Sequence, residues 1–415
     1  MAYSVIALLC LALAIVLGFT KKINVGLVAL GLAFFLGLIG GVSSKTILAG
    51  FPSSLFLTLL GTMFFFCLLQ DNKTLELLSR KLVSLVGDKT FLIPVIIYLV
   101  SYVMSAAGPG AISVQSVMII FAVSLAVQLE ANPILLGSMA ILGAVGGTTS
   151  PIALSGIIVK DLTSDMGLGN VAWTTFIGVS LGNFVCMLLT YIFYKGYKLK
   201  GLKTKESLPP FNKAQKISIV ALLLLVVAVV GFGMDVGLVS FALSLILILL
   251  GVVNEKAGLK LIPWSVLILI CGVNVLMAVT KALGGIDLLS SLLASLMNRY
   301  TAGPIMALTA GLMSWFSSAN GVVLPTLIPT VPGIAAAVGG NVSATELVTA
   351  IVAGATVAGI SPLSTGGSLI LASYVKEKTL SDKEQQTMFS KLFLTSFGAV
   401  MVMVVLSFVG FFRLF

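Results

Sequence analysis

Histidine is absent from the 415-residue sequence, and charged residues make up only 9% of it, whereas 59% is hydrophobic. Soluble domains carry about 25% charged residues, so this composition excludes an ordinary soluble enzyme. Apolar runs of roughly 18 to 25 residues recur along the whole chain, and each is long enough to cross a hydrocarbon layer ~30 Å thick. The sequence therefore predicts an all-α polytopic membrane protein.

Cysteine is also scarce, and it lacks the spacing of a metal site or a disulfide framework. The four cysteines all lie within apolar runs, at unrelated intervals: Cys10, Cys67, Cys186 and Cys271. They are expected to be small buried hydrophobes. The first apolar run, residues 2–19, has no basic segment before it and no small-residue cleavage site after it, so we expect it to remain as a span.

Ten apolar segments are predicted to cross the membrane, and two further apolar stretches are predicted to be re-entrant hairpins. The hairpins are residues 91–129 and 300–341. The ten crossings are residues 2–19, 23–40, 52–70, 133–159, 170–194, 215–233, 237–254, 263–281, 345–372 and 391–412.

The net charge of +10 is distributed unevenly over the loops between these segments. If each of the ten segments crosses once, 19 of the 24 Lys and Arg residues fall on one side, and the five on the other are Lys45, Lys160, Lys281, Arg299 and Arg413. Cytoplasmic loops are enriched in Lys and Arg. The lysine-rich side is therefore expected to be cytoplasmic, with both termini outside. The lysines serve as topology determinants, so no nucleic acid partner is expected; binding of anionic lipid by residues 195–216 is an alternative role.

An internal repeat is indicated by glycines and prolines that recur at one offset of 211 positions. The pairs are Pro52/Pro263, Gly61/Gly272, Gly110/Gly321, Gly143/Gly354, Pro151/Pro362 and Gly156/Gly367. Each half holds five crossings, an odd number, so the second copy must enter the membrane in the opposite orientation. We therefore predict two inverted-topology repeats, residues 1–194 and 215–415, joined by a lysine-rich cytoplasmic linker, residues 195–214. This arrangement is typical of secondary transporters.

Both hairpins are predicted from helix-breaking sequences at their tips. The apolar run Phe91–Met104 is too short to span and is followed by Ser105-Ala106-Ala107-Gly108-Pro109-Gly110, through which a helix cannot easily continue. The repeat-related tip is Trp315–Gly321. Two plain transmembrane hairpins remain an alternative, because a returning hairpin leaves the charge count unchanged.

Two crossings are predicted to be unwound near the membrane midplane, within residues 133–159 and 345–372. Irregular backbone at membrane depth is tolerated only where it is buried in protein or lines a cavity, and freed helix ends can bind ions. We expect substrate to bind at the tips and breaks, through Ser105, Gly108, Gly110, Thr148, Thr149, Ser150, Ser317, Ser318, Asn320, Ser361, Ser364 and Thr365. Sodium is expected to bind at oxygens of Ser105, Gly110, Gly147, Ser317, Asn320 and Gly359.

Charged residues are missing from the predicted site, which limits the chemistry it can perform. Glu130 is the only charged residue between Phe91 and Val159, and Glu346 is the only one between Tyr300 and Val375. Proton relays use titratable groups, so coupling to protons through the site is disfavoured, and a co-bound sodium ion is expected to offset the charge of an anionic substrate. No buried base, paired aspartates or metal site supports an enzyme, and the repeat favours alternating access over a channel.

The paired tips, each followed by a helix unwound at a Gly-Thr/Ser-Pro stretch, resemble the ion transporter superfamily, which includes the divalent anion:sodium symporters. The Ala106-Ala107-Gly108-Pro109-Gly110 tip and the ten-span length are most similar to bacterial malonate and C4-dicarboxylate carriers. The symporters carry a Ser-Asn-Thr signature at both tips, whereas here the second tip has Asn320 displaced from Ser317 and the first has no asparagine.

This resemblance implies sodium-coupled transport of a small dicarboxylate across the bacterial cytoplasmic membrane by an elevator mechanism. It also implies a homodimeric scaffold in the lipid bilayer and no cofactor other than the coupling ion. Amphipathic segments 73–89 and 284–299 would act as connecting arms. The alternative functions are another carrier of the superfamily, for citrate or an inorganic anion, and a cation/proton antiporter.

Overall fold

A computed structural model describes residues 2–21, 23–84, 89–166, 168, 171–199, 208–339, 342–378 and 380–415. Several predicted features lie partly outside these residues, namely Leu85 of the first amphipathic segment and Lys22, Lys200, Lys203 and Lys205 of the lysine-rich loops. Within the described ranges every regular element is a helix. The predicted all-helical membrane fold is confirmed.

The first half of the chain folds into ten α-helices: α1 (Ala2–Lys21), α2 (Val25–Gly40), α3 (Ser44–Ala49), α4 (Ser53–Asp71), α5 (Thr74–Ser84), α6 (Ile93–Ala106), α7 (Gly110–Gln128), α8 (Pro133–Gly147), α9 (Leu154–Thr163) and α10 (Val171–Phe193). Short 3₁₀ turns occupy Thr90–Leu92, Ser164–Met166 and Gly196–Lys198.

The second half contributes α11 (Lys213–Val226), α12 (Val236–Leu249), α13 (Glu255–Leu261), α14 (Trp264–Ala282), α15 (Gly285–Ser295), α16 (Ala302–Phe316), α17 (Leu324–Leu327), α18 (Val331–Val338), α19 (Ala344–Val357), α20 (Thr365–Glu377) and α21 (Asp382–Phe408). Two π-helical segments occupy Val227–Gly231 and Ala319–Val323, and 3₁₀ turns occupy Ile328–Thr330, Ala358–Ile360 and Phe411–Leu414.

Helix starts in the two halves recur at the spacing of the matched glycines and prolines. Each of α1, α2, α3, α4, α5, α8, α9 and α10 begins 211 positions before a helix of the second half. The starts of α2 and α12 also share four identical residues, Val-Gly-Leu-Val. Asn24 and Asp235 cap these two helices, each accepting a hydrogen bond from a backbone N–H of the first turn.

Close helix crossings depend on glycines at equivalent places in the halves. On α14, a Cβ added to Gly272 would lie 2.1 Å from the carbonyl oxygen of Gly26 on α2. On α4, a Cβ added to Gly61 would lie 2.5 Å from the carbonyl oxygen of Gly237 on α12. Glycine lets the two backbones approach, as small residues commonly do in membrane helix interfaces. The α2–α14 and α4–α12 contacts are therefore built in the same way.

Seven helical stretches in the described part of the chain are long and apolar enough to cross a membrane. Five coincide with predicted crossings, but the other two are Gly110–Gln128 and Ala319–Val338, the second arms of the predicted hairpins. In both hairpins the first arm is shorter than the second, with 14 residues in α6 and 15 in α16. Whether they re-enter or span therefore stays a prediction. Other predicted crossings correspond to shorter apolar helices such as α2 and α12.

The helix that contains most of the last predicted crossing, residues 391–412, begins at Asp382 and ends at Phe408. Ser381 and Glu384 form a capping box, in which the serine hydroxyl accepts from the Glu384 N–H and the glutamate accepts from the Ser381 N–H. This cap starts the helix in a charged segment that hydropathy alone assigns to a loop.

An ion pair between the exposed Arg413 and the buried Glu346 joins the C-terminal turn to α19. The Nε of Arg413 lies 3.0 Å from both carboxylate oxygens of Glu346, whose side chain is 1% exposed. The Nη2 of Arg413 also donates to the carbonyl oxygen of Arg299. The charge pattern predicted Arg299 and Arg413 to be on the same, lysine-poor side, and the structure brings them together.

Candidate functional site

The first break separates α8 from α9 at residues 148–153. Pro151 has no N–H to donate, so a regular helix cannot continue through it. The carbonyl oxygen of Thr148 instead accepts from the N–H groups of Ser155, at 3.0 Å, and Gly156, at 3.2 Å. Gly156 is required for this closure, because an added Cβ would lie 2.0 Å from the carbonyl oxygen of Ser150. Two N–H groups at the start of α9 are therefore used within the loop and are not presented to a ligand.

The second break separates α19 from α20 and contains the 3₁₀ turn Ala358–Ile360. The Ser364 hydroxyl donates to the carbonyl oxygens of Gly359, at 2.6 Å, and Ser361, at 2.7 Å. Gly367 approaches the Ser361 carbonyl as Gly156 approaches that of Ser150. No side-chain cap covers the start of α20, which is the glycine-rich sequence Thr365–Gly367.

The first hairpin tip is formed by the residues between α6 and α7. Gly108 has a φ of 134° and Gly110 a φ of 70°, values that side chains with a Cβ rarely adopt. Gly110 faces the first break, since an added Cβ would lie 3.2 Å from the Thr148 Oγ1 and 3.0 Å from the Leu154 Cβ. The Gly-Pro-Gly sequence therefore brings the start of α7 against the first break.

The second hairpin tip lies between α16 and the π-helical segment that begins at Ala319. The Ser318 hydroxyl caps this segment by accepting from the Gly321 N–H at 3.1 Å. The Asn320 Oδ1 accepts a 2.8 Å hydrogen bond from the hydroxyl of Ser155 on α9. Ser155 also lies 3.3 Å from the Thr148 Oγ1. The second tip and the first break, 165 positions apart in sequence, are thus joined directly.

Ser105 and Ser314 occupy equivalent positions in the hairpins. The Ser105 hydroxyl donates to the Ala144 carbonyl oxygen, and the Ser314 hydroxyl donates to that of Ala355, both at 2.7 Å. The acceptors are 211 positions apart, but the serines are 209 apart, so the second tip contains two extra residues. Ser105 thus corresponds in its contact to Ser314 and not to Ser317, and it serves helix packing.

The remaining predicted site residues fall into two groups. Some hydroxyls satisfy local backbone: Thr149 donates to the Gly146 carbonyl, Ser317 donates to the Met313 carbonyl, and Ser361 accepts from the Leu363 N–H. The second group consists of two hydroxyl residues and three glycines. The two hydroxyl residues differ in burial, since Thr365 is exposed and Ser150 is buried. The glycines pack against neighbouring helices: Gly108 against the Phe66 ring, Gly147 against the Tyr102 carbonyl, and Gly359 against Ile141 and Val145.

Three polar residues near the breaks were not predicted from the sequence. Ser155 bridges the halves, as described above. Gln115 of α7 faces the second break, because a Cβ added to Gly366 would lie 3.3 Å from its Oε1. Thr326, which is 211 positions after Gln115, is buried and its Oγ1 has no hydrogen-bond partner. All three share one sequence feature that could have identified them: each is a polar residue in an apolar helix, one or two turns beyond a tip or break.

The cluster formed by the two tips and the two breaks is uncharged. We name it the tip–break cluster and define it by Gly110, Gln115, Thr148, Ser155 and Asn320. No group of acidic or cysteine side chains able to hold a metal occurs in the described residues. Hydroxyl, amide and backbone carbonyl oxygens are ligands for hard cations such as sodium, and hydroxyl and amide donors can bind a carboxylate.

Comparison with known proteins identifies the class. Residues 1–148 match the family described as "Dicarboxylate carrier protein MatC N-terminus". The predicted resemblance to dicarboxylate carriers is confirmed over this part of the chain. A comparison with curated protein sequences finds no match.

Two solved structures share the fold. The YdaH transporter of Alcanivorax borkumensis is 14% identical, with a TM-score of 0.60 over 88% of this chain and 86% of that one. MtrF of Neisseria gonorrhoeae, described as illuminating a class of antimetabolite efflux pumps, is 13% identical, with a TM-score of 0.61 over 88% of this chain and 82% of that one. The matching family and both structures are transporters and not enzymes. Together they support a secondary transporter of the multi-pass membrane type.

Proposed function

We propose that the chain is a sodium-coupled secondary carrier of a small dicarboxylate of the malonate or C4-dicarboxylate class. The observation that carries the proposal is the hydrogen bond between Ser155 and Asn320, because it joins a hairpin tip of one half to a helix break of the other. A co-bound sodium ion would offset the charge of an anion held by the hydroxyl and amide donors of this uncharged cluster. The match of residues 1–148 to a dicarboxylate carrier family supports the substrate class.

Transport would proceed by elevator-type alternating access between two inverted repeats. The equal spacing of helix starts and the repeated glycine crossings support a common ancestry for the halves. In this proposal the tips and breaks move together with substrate, while α2, α4, α12 and α14 belong to a homodimeric scaffold. The protein would lie in the bacterial cytoplasmic membrane with both termini outside, as the lysine distribution indicates.

Uptake into proteoliposomes tests the substrate class. Radiolabelled malonate, succinate, citrate and sulfate would each be offered with an inward sodium gradient. We expect malonate or succinate to accumulate and sulfate to remain at the level of protein-free vesicles. Accumulation of citrate or sulfate instead would assign the chain to another carrier of the superfamily. Efflux from preloaded vesicles under the reversed gradient would show whether the carrier also exports.

A further inference from the structure

A groove lies at the surface of the protein between α10 and α21, and none of its lining residues belongs to the tip–break cluster. Its volume is 730 Å³, within the ~300–1,000 Å³ of small-molecule sites. Cys186 and Ala399, both buried, lie at its floor. Gly398 leaves part of the groove open, since an added Cβ would meet no atom within 4 Å.

The walls of the groove are apolar and face outward. Leu189, Phe193 and Leu394 are 47%, 76% and 65% exposed. On a membrane-spanning pair of helices this exposure places the groove in contact with hydrocarbon. A concave apolar surface of this kind fits an acyl chain, whereas a dicarboxylate would lose its hydration there without gaining hydrogen bonds.

Polar and positive groups occur at one end of the groove. The hydroxyls of Tyr194 and Thr395 are 2.6 Å apart, and Thr395 donates to the Lys391 carbonyl. Lys391 lines the groove and is exposed, and Lys195 follows Tyr194 directly. Both lysines are on the lysine-rich side of the chain. Glu384, an acidic residue in the first turn of α21, is engaged by Ser381 in the capping box.

We propose that this groove binds an anionic phospholipid of the lysine-rich leaflet, with an acyl chain between α10 and α21 and the phosphate at Lys391. The apolar walls would bind the acyl chain of the lipid, and Lys391 would favour a negatively charged headgroup. Anionic lipids are attracted to basic residues at the cytoplasmic surface, which is where the charge distribution places this end. The proposal does not require that the carrier transport a dicarboxylate.

Lipid retention by the purified full-length protein tests this site. Phosphatidylglycerol and phosphatidylcholine would be added at equal concentration, and bound lipids counted by native mass spectrometry, with melting temperature as a second readout. We expect phosphatidylglycerol to be retained in preference and to raise the melting temperature more. Lys391→Gln should reduce that preference about fivefold. Gly398→Phe fills the groove and should reduce retention of both lipids.

Two matched variants control for general effects. Gly31 on α2 is exposed and also has no atom within 4 Å of an added Cβ, so Gly31→Phe tests the same substitution elsewhere. Lys45→Gln removes an exposed lysine from the lysine-poor side. Both controls should behave as the unmodified protein. Equal retention of the two lipids by the unmodified protein, or unchanged retention in both groove variants, would overturn the proposal. A change of oligomeric mass in Gly398→Phe, with lipid retention unchanged, would assign the groove to contact between copies and would also overturn it.

Discussion

Asn320 connects a hairpin tip of the second half to α9 of the first half. Its Oδ1 already accepts from Ser155, which leaves a second lone pair on the oxygen and the amide donors for ions or substrate. A side chain with this dual capacity can bind a cation and orient an anion in the same site. The serine fixes its direction, so the two residues should act as a unit.

We expect Asn320→Ala and Ser155→Ala each to raise the sodium concentration needed for half-maximal transport, by roughly 2- to 10-fold for the loss of one hydrogen bond. The double variant should be little worse than either single one, because both changes remove the same interaction. Thr163→Ala is the control, since that hydroxyl of α9 donates to the Val159 carbonyl of its own helix. Fully additive effects would show that the two residues act independently. No change in sodium dependence would show that they take no part in sodium binding.

Arg413 and Glu346 form an interaction that has no counterpart in the first half, where two leucines, Leu135 and Leu202, occupy the equivalent sequence positions. Arg413→Ala would leave the buried carboxylate without its partner; because the Arg413 side chain is 37% exposed, the expected cost is ~1–3 kcal/mol. Glu346→Gln should cost less, since it removes the buried charge itself. Arg299→Ala is the control, because Arg299 takes part through its carbonyl. The melting temperature should be highest for Arg299→Ala, lower for Glu346→Gln and lowest for Arg413→Ala. An unchanged melting temperature in Arg413→Ala would contradict a stabilising role for the ion pair.

The sequence predicted the tips and breaks because glycine and proline act locally. Gly108, Pro109 and Pro151 interrupt regular helix, so the helices end at the predicted places. The partners of the polar residues could not be predicted in this way. Ser155 meets Asn320 only because α9 packs against the second hairpin, and the two-residue shift at the second tip is visible only through the contacts of Ser105 and Ser314.

At the level of helices, the crossings of α2 with α14 and of α4 with α12 depend on backbone contact. Gly272→Ala and Gly61→Ala should each destabilise the protein by ~1–3 kcal/mol, because the new methyl group would overlap a facing carbonyl. Gly31→Ala, in open space on the same α2 helix, should be neutral or up to ~1 kcal/mol stabilising. Thermal unfolding in detergent measures all three. Equal melting temperatures for Gly272→Ala and Gly31→Ala would show that the crossing tolerates separation.

The first hairpin gives a prediction about accessibility. Ala107→Cys, on a background without the four native cysteines, should react with a membrane-impermeant thiol reagent only through an aqueous cavity, and substrate should protect it. Lys45→Cys, exposed on α3, is the control and should react regardless of substrate. Free labelling of position 107 from outside, unaffected by substrate, would indicate that α6 and α7 both span the membrane. This second outcome is open because α7, with 19 residues, is long enough to cross a membrane.

At the scale of the whole molecule, apolar run lengths and the 211-residue spacing predicted the helix order well. They did not predict that the helix of the last crossing begins at Asp382, where a capping box extends it into a charged segment. Membrane orientation and the homodimer depend on lipid and on a second copy of the chain. They stay predictions because the fold of one chain does not contain those interactions.

Sodium-coupled carriage requires that ion and substrate cross together. The most direct measurement is the simultaneous flux of radiolabelled sodium and radiolabelled malonate or succinate into proteoliposomes at fixed pH and membrane potential. We predict that each flux depends on the other solute, that a sodium gradient drives accumulation of the dicarboxylate, and that a proton gradient in sodium-free medium does not. Dicarboxylate accumulation at the full rate without sodium, driven by protons alone, would contradict charge compensation by a co-bound sodium ion in the tip–break cluster.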